Sequence, residues 1–148
     1  TPLFSGFFRL FFTSITLYSC IFRAKLNPIE RTLPMLDDLF DTIDSMDAEG
    51  FSAFITDNCS FRFGNLPTVQ GKENITGFVQ QFFESLHAVN HEIRQSWKTE
   101  DGIVCHGMVT YIRHDQFSLT VPFCNVVSIR EEGIYEYLIF ADTSLLYA

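Results

Sequence analysis

Four side chains in the second half of the chain carry groups suited to proton transfer: His91, Tyr111, Tyr137 and Asp142. An imidazole exchanges protons near neutral pH, a phenol donates to a ligand oxygen, and a carboxylate takes up a proton. All four lie on, or at the end of, segments in which apolar and polar residues alternate, so strand parity sorts them. On the first such segment His91, Ile93, Gln95 and Trp97 share one face, and Glu92, Arg94, Ser96 and Lys98 share the other. The first set is expected to face a cavity, with His91 and Trp97 at different depths of one wall. The alternative is a His91 that only hydrogen-bonds near the start of the strand. On the next segment Val109, Tyr111 and Arg113 share a face, where Arg113 either fixes an acidic group at the rim or is a solvated surface charge. On the last, parity turns Tyr135, Tyr137 and Ile139 inward and Glu136, Leu138, Phe140 and Asp142 outward. Asp142 then either bends inward as the strand ends or caps the final turn with Thr143 and Ser144. Phe63, Trp97, Arg113, Phe123 and Ile139 are expected to line the pocket.

Those residues need a scaffold, and the hydrophobic periodicity supplies one. Leu36, Leu39, Phe40, Ile43 and Met46 recur at helical spacing from Met35 onward, with Asp37, Asp38, Asp41 and Asp44 on the remaining faces. The opening acids suit the positive end of the helix dipole. A short helix is expected around Phe51, Phe54 and Ile55, then a turn at Thr56-Asp57-Asn58. Cys59 to Phe63 reads as a strand, Gly64 to Pro67 as a turn, and Thr68 to Gln70 as a short extended segment. Ile75, Phe78, Val79, Phe82, Phe83 and Leu86 mark a third helix with a wide apolar face. Turn signals at Asp101-Gly102, His114-Asp115-Gln116 and Glu131-Glu132-Gly133 then divide the rest into four strands. These are expected near Val89 to Thr99, Ile103 to Arg113, Phe117 to Arg130 and Ile134 to Asp142. Connections this short impose an antiparallel meander. Helices first and strands afterwards predict an α+β domain, three helices covering one face of a curved antiparallel sheet.

Composition narrows the partners. The 148 residues suffice for one core, and seventeen Phe with five Tyr supply rings for a core or for the wall of a concave site. The net charge of -8 is uneven: Arg9, Arg23, Lys25 and Arg31 against Glu30 make the first 34 residues basic, and everything after them is strongly acidic. An acidic domain without a basic stripe repels a phosphate backbone, so no nucleic acid is expected. Cys20, Cys59, Cys105 and Cys124 lack metal or redox spacing and read as buried free thiols, which suits a reducing, cytoplasmic setting. The sequons at Asn58 and Asn74 matter only in a secreted chain. No metal cluster, glycine-rich phosphate loop or nucleophile elbow is present in the sequence, and nothing calls for a cofactor.

Residues 1–34 read as a separate extension. Leu10 to Phe22 is uncharged but shorter than the roughly 20 residues of a membrane-spanning helix. It is a leader or membrane anchor, an added element packed on the domain, or upstream sequence outside the functional protein, with Met35 placed where a domain could begin. A membrane is a partner only if this segment is an anchor.

The order of elements, with Pro67 and Gly71 before the long helix, resembles the nuclear transport factor 2-like superfamily. HEIRQSW from His91, GMVTYIRHD from Gly107, VPFCN from Val121 and EYLIFADTSLL from Glu136 resemble its SnoaL-like branch. The resemblance runs from about Met35 to the C-terminus. It implies a cone with an apolar cavity between the helices and the concave sheet face, in a superfamily that includes ketosteroid isomerase, limonene epoxide hydrolase, scytalone dehydratase, polyketide cyclases and non-catalytic binding domains. Aligning Asp142 with the second Asp of the WRDYFD-like stretch of limonene epoxide hydrolase puts Ile139 in the acid/base slot, where no proton can be exchanged. A set similar to that of scytalone dehydratase finds His91, Tyr111 and Tyr137 here, but no Asp. Three functions follow as expectations. The first is cofactor-free isomerisation, dehydration or cyclisation of a hydrophobic oxygenated molecule of the polyketide or terpenoid class. The second is binding of such a molecule without catalysis, and the third is homodimerisation through the outer sheet face, where Leu138 and Phe140 would seek a partner.

Overall fold

The structure, a computed structural model, describes residues 32–148. The apolar run Leu10–Phe22 lies outside the described residues, whereas Thr32–Pro34, assigned above to the extension, opens the first helix. Pro34–Ala148 forms one compact unit.

The helices are α1 (Thr32–Asp44), α2 (Ala48–Ser52) and α3 (Lys72–Glu84). The strands are β1 (Ile55–Phe63), β2 (Val69–Gln70), β3 (Leu86–Lys98), β4 (Gly102–Arg113), β5 (Ser118–Arg130) and β6 (Gly133–Ala141). Because α1 starts at Thr32, its acidic residues fall after the first turn rather than in it. Asp47 caps α2 by accepting from the Gly50 backbone N–H at 2.8 Å, so the helix is short and sharply placed. The Thr56-Asp57-Asn58 turn does not form: these residues extend β1 back to Ile55. The strand runs through them although its ladder to β6 is interrupted between Ile55 and Ser60.

All six strands make one sheet in the order β2-β1-β6-β5-β4-β3. The meander from β3 to β6 is antiparallel, as its tight turns require. The sheet as a whole is mixed rather than antiparallel, because β1 runs parallel to β6. That pairing joins strands far apart in sequence, so no hairpin signal announces it. Nor do all three helices precede the sheet, since α3 follows β1 and β2 and returns the chain to the sheet's far edge at β3. The core lies between the helices and one sheet face: Leu36, Leu39 and Phe40 of α1 and Ile75, Val79 and Phe83 of α3 are buried with Val109, Phe123, Val127 and Tyr137.

Three bulges interrupt the meander. Leu86 pairs with Arg113 but Ala88 pairs with Ile112, which leaves His87 extra at the start of β3. Ile93 pairs with Gly107 but Gln95 pairs with His106, which leaves Arg94 as an extra residue on β3. Ile129 pairs with Ile134 but Ser128 pairs with Glu136, which leaves Tyr135 extra on β6. Each bulge exchanges the two faces of its strand on one side of the insertion.

Candidate functional site

A cavity of about 50 Å³ opens between the helices and the inner sheet face. His91 of β3, Tyr111 of β4, Phe123 of β5, Tyr137 and Ile139 of β6 and Phe63 of β1 all contribute to its wall. For His91, Tyr111, Tyr137 and Ile139 this is the face that alternation along their strands assigns. The cavity is narrow because rings fill it. Phe78 and Phe82 enter from α3, with Phe82 lying 5.1 Å from the Phe63 ring and 5.8 Å from Tyr111. At roughly 10–15 Å³ per water the space holds only a few water molecules, well below the several hundred Å³ of a typical ligand pocket.

Four side chains considered for the cavity lie elsewhere. Trp97 follows the Arg94 bulge, pairs with Val104 on the outer face and stacks on His106 at 5.4 Å, with 45% of its surface exposed. Arg113 is committed at the edge: it donates to the Leu146 carbonyl at 3.0 Å and to Asp115, and lies over the Phe117 ring. It therefore ties down the C-terminal segment instead of presenting a free cation. Asp142 is exposed and accepts from the Ser144 backbone N–H at 3.0 Å; the Ser144 hydroxyl and N–H hold its carboxyl below the usual range. Tyr135, expected inward, is the bulged residue of β6; it donates to Asp101 at 3.1 Å beneath the Arg130 guanidinium.

The structure also supplies a carboxylate that parity could not. Asp44, the last residue of α1, accepts from the His91 backbone N–H through Oδ2 at 3.0 Å and meets His91 Nδ1 through Oδ1 at 2.6 Å. Both side chains are largely buried, 10% exposed for His91 and 23% for Asp44. The imidazole also packs against the rings of Phe40 at 4.9 Å and Phe123 at 5.1 Å. With the carboxylate accepting at Nδ1, neutral His91 carries its proton there, and the Nε2 lone pair is the one left for the cavity. Sequence reasoning put Asp44 on the faces of the helix outside its buried stripe. A signal was present: Asp44 follows Phe40 by one turn and so shares its side of the helix.

At the other end of the cavity Asn125 is 2% exposed and donates through Nδ2 to the Tyr137 hydroxyl at 3.0 Å. Its Oδ1 is a buried oxygen with no hydrogen-bond partner among the described residues. Burial pushes the phenols of Tyr111 and Tyr137 well above their ordinary range, so both remain protonated donors wherever the protein is folded. Burial likewise raises the Cys59 thiol to about 11 and the Cys105 thiol to about 12, so both are thiols rather than nucleophilic thiolates near neutral pH.

The family model for a SnoaL-like domain matches residues 36–137. The chain belongs to the SnoaL-like family. No curated protein matches this SnoaL-like chain by sequence. Its fold is shared with a candidate SnoaL-like polyketide cyclase from Jannaschia sp. CCS1, at 16% identity and TM-score 0.72, covering 82% of this chain and 93% of that one. TerC, co-crystallised with polyporic acid, is 15% identical with TM-score 0.65 over 76% and 92% of the two chains. An epoxide hydrolase from M. tuberculosis, similar to limonene epoxide hydrolase, is 9% identical with TM-score 0.65 over 74% and 80%. At these identities the likeness is one of fold, the SnoaL-like form of the nuclear transport factor 2-like architecture.

Proposed function

We propose that this SnoaL-like domain carries out cofactor-independent proton transfer on a small, apolar, oxygenated molecule of the polyketide or terpenoid class, with His91 as the acid/base. The observation that carries the reading is the Asp44–His91 pair at the wall of an apolar cavity. Nε2 takes a proton from carbon beside a carbonyl, and Asp44 stabilises the imidazolium that forms and holds its orientation. The same imidazolium then returns the proton, either to another carbon, giving an isomer, or to a departing hydroxyl, giving water and an alkene. The epoxide hydrolase and polyketide cyclase relatives support an oxygenated substrate. The carboxylate acts from α1 behind the histidine, so Ile139 in the last strand is no obstacle.

The test is solvent deuterium exchange into a panel of enolisable cyclic ketones. The wild-type chain is expected to accelerate exchange at the α-carbon, and His91→Gln to lose at least about 10²-fold of that acceleration. Exchange that is identical in the two proteins would remove His91 from the chemistry. A second reading, ligand binding without turnover, is favoured by how narrow and ring-filled the cavity is; it predicts thermal stabilisation by the same compounds with no exchange in either protein.

We also propose that the outer sheet face joins two copies of the chain. Phe140 is 54% exposed there, with Leu138 on the same strand face and Trp97 on the far strand. Sedimentation is expected to show a dimer that Phe140→Glu dissociates; a monomer in the wild type at high concentration would exclude it.

A further inference from the structure

The end of the cavity away from His91 carries a feature that proton transfer at His91 does not use. Asn125 is almost completely enclosed, yet among the described residues only its Nδ2 has a side-chain partner, the Tyr137 oxygen at 3.0 Å. Its Oδ1 is an acceptor with no hydrogen-bond donor among the described residues. Both residues line the cavity. The Tyr137 oxygen is already accepting from Asn125, so the phenolic hydrogen remains to be donated, and the raised phenol does not lose it. The cavity floor therefore offers one acceptor and one donor side by side, surrounded by Phe51, Phe61 and Ile139.

One common functional group satisfies both at once. A hydroxyl donates its hydrogen to Asn125 Oδ1 and accepts the Tyr137 hydrogen on its oxygen. A ketone, ether or aldehyde can only accept from Tyr137 and sets its lone pairs against those of Oδ1. Leaving a buried polar atom unpaired is the stronger of the two effects in such recognition, so discrimination runs against ligands without the donor. We propose that Asn125 and Tyr137 form a hydroxyl-recognition subsite, which selects ring compounds carrying a phenolic or enolic O–H at the buried end of the cavity.

The placement sets the reach of the ligand. Phe123 touches the His91 ring, and Asn125 stands two residues further along β5 on the same face, roughly 7 Å away by strand rise. A six-membered ring with its hydroxyl at the Asn125–Tyr137 pair extends along β5 toward Phe123, the ring that touches His91, and the Phe78 and Phe82 rings that narrow the cavity have to turn aside to admit it. This deepens the proposed function and rests on the cavity being a ligand site, but not on turnover there.

The experiment is direct calorimetric binding of phenol, fluorobenzene and anisole to the full 148-residue chain. Fluorobenzene has nearly the shape of phenol without the donor, and anisole keeps an acceptor oxygen but no hydrogen on it. Wild-type protein is expected to bind phenol about tenfold or more tighter than either of the others. Asn125→Leu is expected to reduce that preference by about tenfold. In the wild type, the Asn125 side-chain amide resonances are expected to move on addition of phenol and not of fluorobenzene, which provides a readout even if Asn125→Leu does not fold. Equal binding of phenol and fluorobenzene would mean that water alone serves Oδ1, and would overturn the proposal. So would anisole binding as tightly as phenol, an unchanged phenol preference in Asn125→Leu, or no binding by any of the three. His91→Gln separates this from the proposed catalysis: it should abolish deuterium exchange while keeping the phenol preference, and loss of either one leaves the other standing.

Discussion

Asp44→Asn is expected to lower catalysed deuterium exchange by about 10²- to 10⁴-fold while leaving the fold intact. The reason lies in the two roles of one carboxylate. Asp44 accepts from the His91 backbone N–H with one oxygen and faces His91 Nδ1 with the other. An asparagine has a single oxygen. If that oxygen stays on the backbone N–H, the new NH2 group faces Nδ1 and can only donate, which forces the His91 proton onto Nε2. That tautomer presents N–H instead of a lone pair to the cavity and cannot begin proton abstraction. The tautomer is readable without any substrate, from the ¹⁵N shifts of the two ring nitrogens. Wild-type His91 is expected to carry its neutral-form proton on Nδ1, and the variant on Nε2. If the variant keeps both the Nδ1–H tautomer and full exchange activity, Asp44 is not a positioning residue. Because Phe40 and Phe123 both pack against the ring, the imidazole has little freedom to compensate by rotating.

The second large effect concerns stability and depends on one glycine. Gly107 lies opposite the β3 bulge, and a Cβ there would stand 1.8 Å from the Glu92 carbonyl oxygen and 2.9 Å from its carbon. Backbone cannot swing aside as a flexible side chain can, so Gly107→Ala has to separate β3 from β4 or shift their register. We expect a loss of about 3 kcal/mol or more, in the severe range for a single methyl group. Gly77 in α3 is the control: nothing lies within 4 Å of its added Cβ. Gly77→Ala should stabilise the helix by about 0.5–1 kcal/mol, because glycine loses the most backbone freedom on folding. Urea midpoints compared at unchanged m-value measure both. A Gly107→Ala protein within about 0.5 kcal/mol of wild type would show that the close approach of β3 is not required. Since Glu92 adjoins His91, the same substitution is expected to weaken phenol binding and exchange together.

Much of the scaffold was legible because it is local. The two amphipathic helices, the four long strands and their tight turns follow from periodicity and turn chemistry, both set by near neighbours. The inward positions of Tyr111, Tyr137 and Ile139 follow from alternation for the same reason. Three things did not follow. The parallel pairing of β1 with β6, which makes the sheet mixed, is a contact between distant segments that no turn specifies. The bulges at Arg94 and Tyr135 have no reliable residue signature, and each reverses the parity beyond it, which sent Trp97 and Tyr135 away from the cavity.

His91 was identifiable from the sequence as an imidazole on an alternating strand. The residue that orients it was not, because Asp44 lies forty-seven positions earlier and reaches it only when α1 packs across the sheet. The sequence by itself determined the family, the elements and the ring-rich inner face, since those depend on residue type and near spacing. Only the tertiary structure decided which carboxylate stands behind the histidine and which buried oxygen is left unpaired at the cavity floor. Hydrogen-bond partners across a core are set by the packing of whole elements, to a precision of tenths of an ångström that no local pattern encodes.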